Sequence, residues 1–352
     1  NGDDAAYRNK SLTLNLSHRF NDDLKVGFSA LDQRGQSEFE DIFSTSLPTT
    51  DFQLSSLSSY IDANLSEVWN SRLEIGHSED KRDTGNDQPH ASADAFYSFN
   101  TYRDSVNWVN TLTLNERHQL LLGADWYEDR VTGSETFTED SRWNQAAFIQ
   151  HRYSAEDFST ELGLRHDKNQ QFGSENSWNA ALTVPFNATN DLILSYSEGF
   201  RAPTFNDLYY PDFCFSGFCF PSANPDLEPE TSKSYEAQWR SRYSETGALE
   251  LSLYRIDLQD AIVLDQNFIP QNVQTARING FEAALKQELF GWQGNLALAL
   301  IDPRDRDTGH TLARRAKRTL SLDLDRQFGE FAVGTSWRAV SGRYDDADNT
   351  RE

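Results

Sequence analysis

Three groups of side chains in this chain are spaced so that they could do chemistry. Glu38, Glu40, Asp41 and Asp51 fall within one stretch, 35–51, that has Ser and Thr between them and no Lys or Arg after Arg34. Clustered carboxylate oxygens are the ligands of hard divalent cations, so Glu40, Asp41 and Asp51 are candidate calcium ligands. A solvated acidic loop has the same composition. Arg314, Arg315, Lys317 and Arg318 are the one basic cluster in a chain of net charge -23. Their fixed donors suit amides, carboxylates or phosphates. Cys214 and Cys219, the two cysteines, stand in CFSGFC. That spacing suits a small disulfide staple in an oxidising compartment, or a two-thiol metal site with Asp212 as its nearest further ligand. Phe213, Phe215, Phe218 and Phe220 interleave with them, an apolar tip of the kind that binds a partner. The seven histidines show no HExxH spacing. No motif sets His18, His77 or His151 beside a specific serine, so no catalytic system is legible.

The elements that must position these groups are strands. In 11–20, Leu12, Leu14, Leu16 and Phe20 share one face, while Ser11, Thr13, Asn15, Ser17 and Arg19 share the other. A period of two is that of a strand with one apolar side. After Asn21, Asp22 and Asp23 the alternation resumes at Leu24, Val26, Phe28 and Ala30, which makes a hairpin. The pattern recurs at Leu57 to Leu65, at Leu192 to Tyr196 and at Leu249 to Leu253, and is cleanest where Leu320, Leu322 and Leu324 alternate with Ser321, Asp323 and Asp325. Carboxylates beside leucines at alternate positions need water on one face only. Counting such runs gives roughly sixteen strands, many of about ten residues, the length of a tilted membrane-spanning strand.

The connections sort by parity. Eight are short, at 21–23, 67–70, 116–117, 155–157, 188–191, 245–247, 290–292 and 328–330, and the connections between them tend to be long: 35–50, 82–90, 132–141, 200–230 and 304–311. The expected fold class is therefore all-β, a transmembrane antiparallel β-barrel whose short turns face the periplasm and whose long loops face the cell exterior. A soluble β-sandwich has the same alternation, with a second sheet in place of lipid.

Composition narrows the classes further. No apolar run is long enough for a transmembrane helix, and no signal peptide opens the chain. A negative mean hydropathy decides nothing, because only alternate residues of a barrel touch lipid. Aromatic residues make up 12% of the chain, in keeping with interfacial girdles. The net charge argues against general nucleic-acid binding, which needs a basic stripe. The absence of Met, together with an end just past a strand, is expected of an internal fragment of a single domain spanning 1–352.

The stretch 197–210 reads SEGFRAPTFNDLYY, and 224–236 reads NPDLEPETSKSYE. With ARINGFEAAL at 276–285 these resemble the barrel signatures of TonB-dependent outer-membrane receptors. LARRAK at 312–317 and SGRYD at 341–345 are similar to segments of the vitamin B12 (cobalamin) receptors within that family. The resemblance implies a plugged barrel of twenty-two strands, so about three strands at each end, the plug and the TonB-contact segment would lie outside the chain. It implies a gated importer with no covalent chemistry of its own. Cobalamin or a related corrinoid would bind at the extracellular loops, among them Arg314 of the Arg314 and Arg315 pair, and TonB would pull on the plug. It also implies a role for calcium at Glu40, Asp41 and Asp51, with Glu where that family has Asp. A ferric siderophore or haem is the alternative cargo. A passive structural or adhesion barrel is the alternative class. The leucine parity carried back from Leu320 puts Arg315 and Lys317 on the lumen side and Arg314 outward unless a bulge shifts the register. Lipopolysaccharide phosphates or lumenal carboxylates are alternative partners for the arginines, and a surface lipoprotein or phage for the phenylalanine tip.

Overall fold

The computed structural model describes residues 5–39, 47–85, 97–215, 217–265 and 267–351. Strands dominate it, and in chain order the first ten are β1 (Tyr7–Arg19), β2 (Leu24–Glu38), β3 (Thr49–Ser66), β4 (Trp69–Gly85), β5 (Tyr97–Thr113), β6 (His118–Gly133), β7 (Ser141–Ser154), β8 (Ser159–Asn169), β9 (Gly173–Asn187) and β10 (Asn190–Arg201). A short helix α1 (Phe205–Tyr209) and a ribbon of β11 (Phe213–Phe215) and β12 (Phe218–Phe220) follow. The chain closes with β13 (Glu230–Ser241), β14 (Ala248–Leu264), β15 (Pro270–Leu289), β16 (Trp292–Asp305), β17 (Arg318–Phe328) and β18 (Phe331–Val340). Sixteen of these strands form one antiparallel sheet in which each pairs with its neighbour in the chain, the β11–β12 ribbon standing apart.

All eight expected short turns join strands at the same end of the sheet. One of the two-residue turns, between β15 and β16, places Phe290 and Gly291 at φ 54° and 76°. Two successive positive φ values give the turn whose twist matches its strands, and glycine takes such a φ without a Cβ clash. At the other end the strands run further than expected. Residues 35–38 and 82–85 belong to β2 and β4 rather than to loops, and the connections 170–172 and 265–269 are short. Alternation of polar residues carries no hydropathy signal, so strand that rises clear of the lipid reads as loop in a sequence. The strands accordingly reach up to 20 residues, about twice the membrane-spanning length.

The two faces differ as the period of two requires. On one, Leu57 and Ile61 of β3 are each 48% exposed, and Leu162 and Leu164 of β8 are 55% and 63% exposed. Exposed leucines in neighbouring register make an apolar band that water would not tolerate and lipid does. On the other face lie ion pairs: Arg72 with Asp62 and Glu74, Arg103 with Asp129, and Arg165 with Asp125 and Asp167. Rings also cover glycines on that face. A methyl group at Gly27 would collide with Tyr60, and one at Gly123 with Phe148. The ionic face is the lumen wall.

Register predicts the effect of a charge. Leu322 lies in the apolar band between Leu296 and Trp337, so Leu322→Arg should lower unfolding free energy in lipid vesicles by about 2–4 kcal/mol. Thr319→Arg, on the same strand but the lumen face, should cost less than about 1 kcal/mol. Denaturant titration of both variants in vesicles checks the difference, and equal costs would contradict this assignment of faces.

Candidate functional site at the outer mouth

Both ends of the long 202–229 connection fold against the lumen wall, while the ribbon between them is exposed. Pro203 and Leu208 are fully buried, and Leu227 is 3% exposed. Thr204 caps α1: its Oγ1 accepts from the Asp207 amide at 3.2 Å, and its own amide donates to Asp207 Oδ2 at 2.8 Å. The reciprocal bonds satisfy groups a helix start leaves open. Phe205 packs with Val131 and Phe137, and Phe99, Tyr209 and Tyr210 surround them. Arg142, at the start of β7, donates through Nη2 to the Pro203 carbonyl at 3.0 Å and lies 5.1 Å from the Phe205 ring centre. Burial disfavours the Tyr209 phenolate and raises its pKa, so the hydroxyl stays protonated, and it accepts from Gln171 Nε2 at 2.5 Å.

Arg201 and Glu230 give the two motifs flanking this connection a common physical reason. They are register partners on β10 and β13, joined by two bonds of 2.5 and 2.8 Å. Glu230 also accepts from the Ile262 amide at 2.5 Å. A bidentate arginine and carboxylate pair fixes geometry as well as charge. Asn224 completes the anchor by donating to the Pro270 carbonyl at 3.0 Å. These residues hold the loop at the mouth. Below α1 a cavity of about 540 Å³ opens on the lumen wall, with Leu54, Asp80, Arg103, Asp129, Arg142 and Phe205 in its lining. Arg142 and Phe205 went unnoticed in the sequence. The signal that could have found Arg142 is its parity, since it shares a face with Phe148, which lies over Gly123.

The family model for the TonB dependent receptor-like β-barrel matches residues 1–352. The chain belongs to the TonB-dependent receptor family. The vitamin B12 transporter BtuB of Photobacterium profundum is 26% identical over 99% of this chain. The chain spans 57% of that relative's length. Among solved structures, the ferric enterobactin receptor PfeA of Pseudomonas aeruginosa superposes with a TM-score of 0.79 at 16% identity, over 99% of this chain and 59% of its own. The copper transporter OprC gives a TM-score of 0.77 at 16% identity, over 97% and 60%. Those likenesses show the fold, a β-barrel, and the family match places it in the outer membrane. Members of this family are transporters, not enzymes.

With the barrel oriented in this way, the sequence-selected residues can be placed. Arg314 and Arg315 precede β17 rather than sitting on it, which corrects the strand parity that put Arg315 on the lumen side and Arg314 outward. The strand begins at Arg318. Arg314 sits in a left-handed turn at φ 57°, and its amide donates to the Tyr344 carbonyl at 2.6 Å. The structure thus brings LARRAK and SGRYD together. Asn349 reinforces the contact, accepting from the Thr311 amide at 2.7 Å and donating to its carbonyl at 2.8 Å. Both arginines are exposed, and among the described residues neither makes a salt bridge. Glu40 and Asp41 lie outside the described residues. Asp51 is on β3 rather than in a loop, opposite Asp83 of β4 on the outward face. Among the described residues no group of three His, Cys, Asp or Glu converges. Cys214 and Cys219 are register partners bonded to each other across the ribbon. Phe218 and Phe220 are 71% and 58% exposed. The side chains of Phe213 and Phe215 lie outside the described residues.

These contacts can be probed one at a time. Losing a charged donor to a carbonyl costs about 1.5–3 kcal/mol, so Arg142→Gln should speed proteolysis within 203–229 about tenfold while the barrel stays folded. An unchanged rate would show that Arg142 does not hold the connection. In the segment after β18, bonds from the Thr350 amide and hydroxyl and from Arg351 hold the Asp346 carboxyl down, at about 2. A lowered carboxylate contributes fully above its unfolded value near 4 and loses that contribution as pH falls toward 2. Amide exchange at Thr350 should therefore stay protected at pH 5 and become unprotected only as pH falls through that window.

Proposed function

We propose that this barrel is the wall of an outer-membrane importer for cobalamin or a related corrinoid, driven through TonB acting on a plug domain. The observation that carries the reading is the whole-length similarity to vitamin B12 transporters, 26% over 99% of the chain. It is supported by the adjacency of 312–317 to 341–345, the two segments similar to those receptors. Arg314 and Arg315 stand exposed at the mouth with no carboxylate among the described residues, and offer donors to a corrinoid's amides and phosphate. The 202–229 connection, tied down by Arg142 and by the Arg201 and Glu230 pair, gives cargo a firm rim. A ferric siderophore or other metal chelate is the second reading, favoured by the PfeA and OprC likenesses.

Calcium belongs to the same proposal. Asp51 and Asp83 face each other across adjacent strands, and like charges so placed destabilise a sheet unless a cation lies between them. Glu40 and Asp41 would add oxygens to that pair.

Equilibrium binding of cyanocobalamin to the receptor made from its complete coding sequence, in detergent, tests the reading. Tight binding is expected, weakened at least about tenfold by a calcium chelator and by Arg314→Ala with Arg315→Ala. No binding with calcium present would discard the vitamin and leave the family assignment standing. Binding indifferent to chelator would discard calcium alone.

A further inference from the structure

Two imidazoles meet on the outer wall at the end of the barrel opposite the cargo mouth. His118 is the first residue of β6 and His151 lies near the end of β7, both beside short turns. His118 pairs in register with Tyr153, and His151 with Leu120. The histidines are therefore diagonal neighbours across one strand pair, a separation that long side chains bridge. Phe148 lies over Gly123 on the lumen wall, so the even residues of β6 and the odd residues of β7 face outward, both histidines among them. On β8, Leu162 flanks His151 and Thr160 flanks Tyr153.

His118 Nδ1 and His151 Nε2 are 3.0 Å apart, and the two rings stack with their centres 5.2 Å apart. The Tyr153 ring lies 4.8 Å from that of His118 and 5.7 Å from that of Phe158, walling the pair on one side. Both histidines are half-buried. Two neutral imidazoles in such contact share one hydrogen, one ring donating and the other accepting. The far nitrogens, His118 Nε2 and His151 Nδ1, have no hydrogen-bond partner among the described residues. Glu116, Arg117, Glu156 and Asp157 stand in the adjoining turns, yet among the described residues no third histidine, cysteine or carboxylate joins the pair. An aromatic girdle accounts for rings at this height. It does not account for two basic nitrogens brought to one point.

We propose that His118 and His151 form a binding site for a late first-row divalent metal ion, copper(II) in preference to zinc(II). Neutral imidazole is the commonest metal ligand among side chains. With metal–nitrogen bonds of about 2.1 Å, two nitrogens on one ion stand about 3.0 Å apart at a right angle and about 3.4 Å apart at the tetrahedral angle. The spacing of this pair is that of adjacent corners of a square-planar or tetragonal site, the geometry of copper(II) with nitrogen and oxygen ligands. On binding, the rings turn so that both near nitrogens present their lone pairs to the ion. The shared hydrogen moves to the far nitrogen of its own ring, so no proton is lost. Water fills the remaining corners. The ion cross-links β6 to β7 at the short-turn rim, and the site does not depend on which cargo is carried.

The probe is copper(II) alone, added to the receptor made from its complete coding sequence, in mild detergent and without a histidine tag. Calorimetric titration gives the affinity, and electron paramagnetic resonance counts the coordinated nitrogens. The receptor is expected to bind a copper ion whose spectrum shows two of them. His118→Gln and His151→Gln should each weaken that binding at least tenfold and leave one nitrogen in any residual signal. His166→Gln, on the outward face of β8 where its Nδ1 lies 2.8 Å from Asn176 Oδ1, should change neither reading. Heat-dependent gel mobility confirms that each variant is a folded barrel, and His118→Asn with His151→Asn serves if a glutamine variant fails to fold. Copper affinity and spectrum unchanged in the folded variants would overturn the site. Zinc(II) bound as tightly as copper(II) at the same two residues would overturn the tetragonal assignment.

Discussion

A peptide group in hydrocarbon has no water to bond, and leaving one unpaired costs several kcal/mol. The strand framework of this chain follows from that constraint. It requires each strand to find a neighbour over the whole depth of the membrane, which is why sixteen strands run in unbroken chain-order pairing. Chain-order pairing in turn requires a turn or a loop at every strand end. Because side chains alternate, the same ladder gives one face to lipid and the other to a wet lumen. Leucines and arginine-carboxylate pairs can then stand one residue apart without conflict. The glycines beneath Tyr60 and Phe148 belong to this logic too, since large rings on the lumen wall need a neighbour without a Cβ.

Above the lipid the constraint relaxes, because water can satisfy the backbone, and specific side chains take over the positioning. The 202–229 connection shows how. Its ends are tied by Arg201 and Glu230, its first turn by Thr204 and Asp207, and its middle by the buried Leu208 and by the contact of Arg142 with the Pro203 carbonyl. The motifs that mark the family are thus explained as fastenings of a loop. They say little about cargo because they do not need to touch it. A receptor lineage can change what it carries by altering exposed residues around a fastened rim.

This division also sets what could be read in the sequence. Strand number, turn positions and the identity of the two faces were legible, because leucines at every second position respond directly to lipid. Strand length was not, since 35–38 and 82–85 are polar on both faces and only the ladder shows them to be strand. The parity of Arg314 and Arg315 failed for a related reason. Extrapolating the period of two backward from Leu320 assumed a strand, while the Tyr344 carbonyl holds that segment in a left-handed turn. Asp51 was assigned to a loop on composition and belongs to β3. In each case a long-range backbone bond, invisible to local pattern, decided the outcome.

The charges of the outer wall answer to a second constraint. A chain this acidic repels anionic surfaces on average, and a barrel must nevertheless sit among lipids whose headgroups are anionic. The conflict is resolved locally. On β14 to β16 Arg277 pairs with Asp257 and Arg304 with Asp302, while Asp51 and Asp83 are register partners on the outward face of distant strands. Screening confines each group's influence to about 10 Å at ordinary ionic strength, so charges several strands apart act independently, and neither arrangement requires the net charge of the chain to change sign.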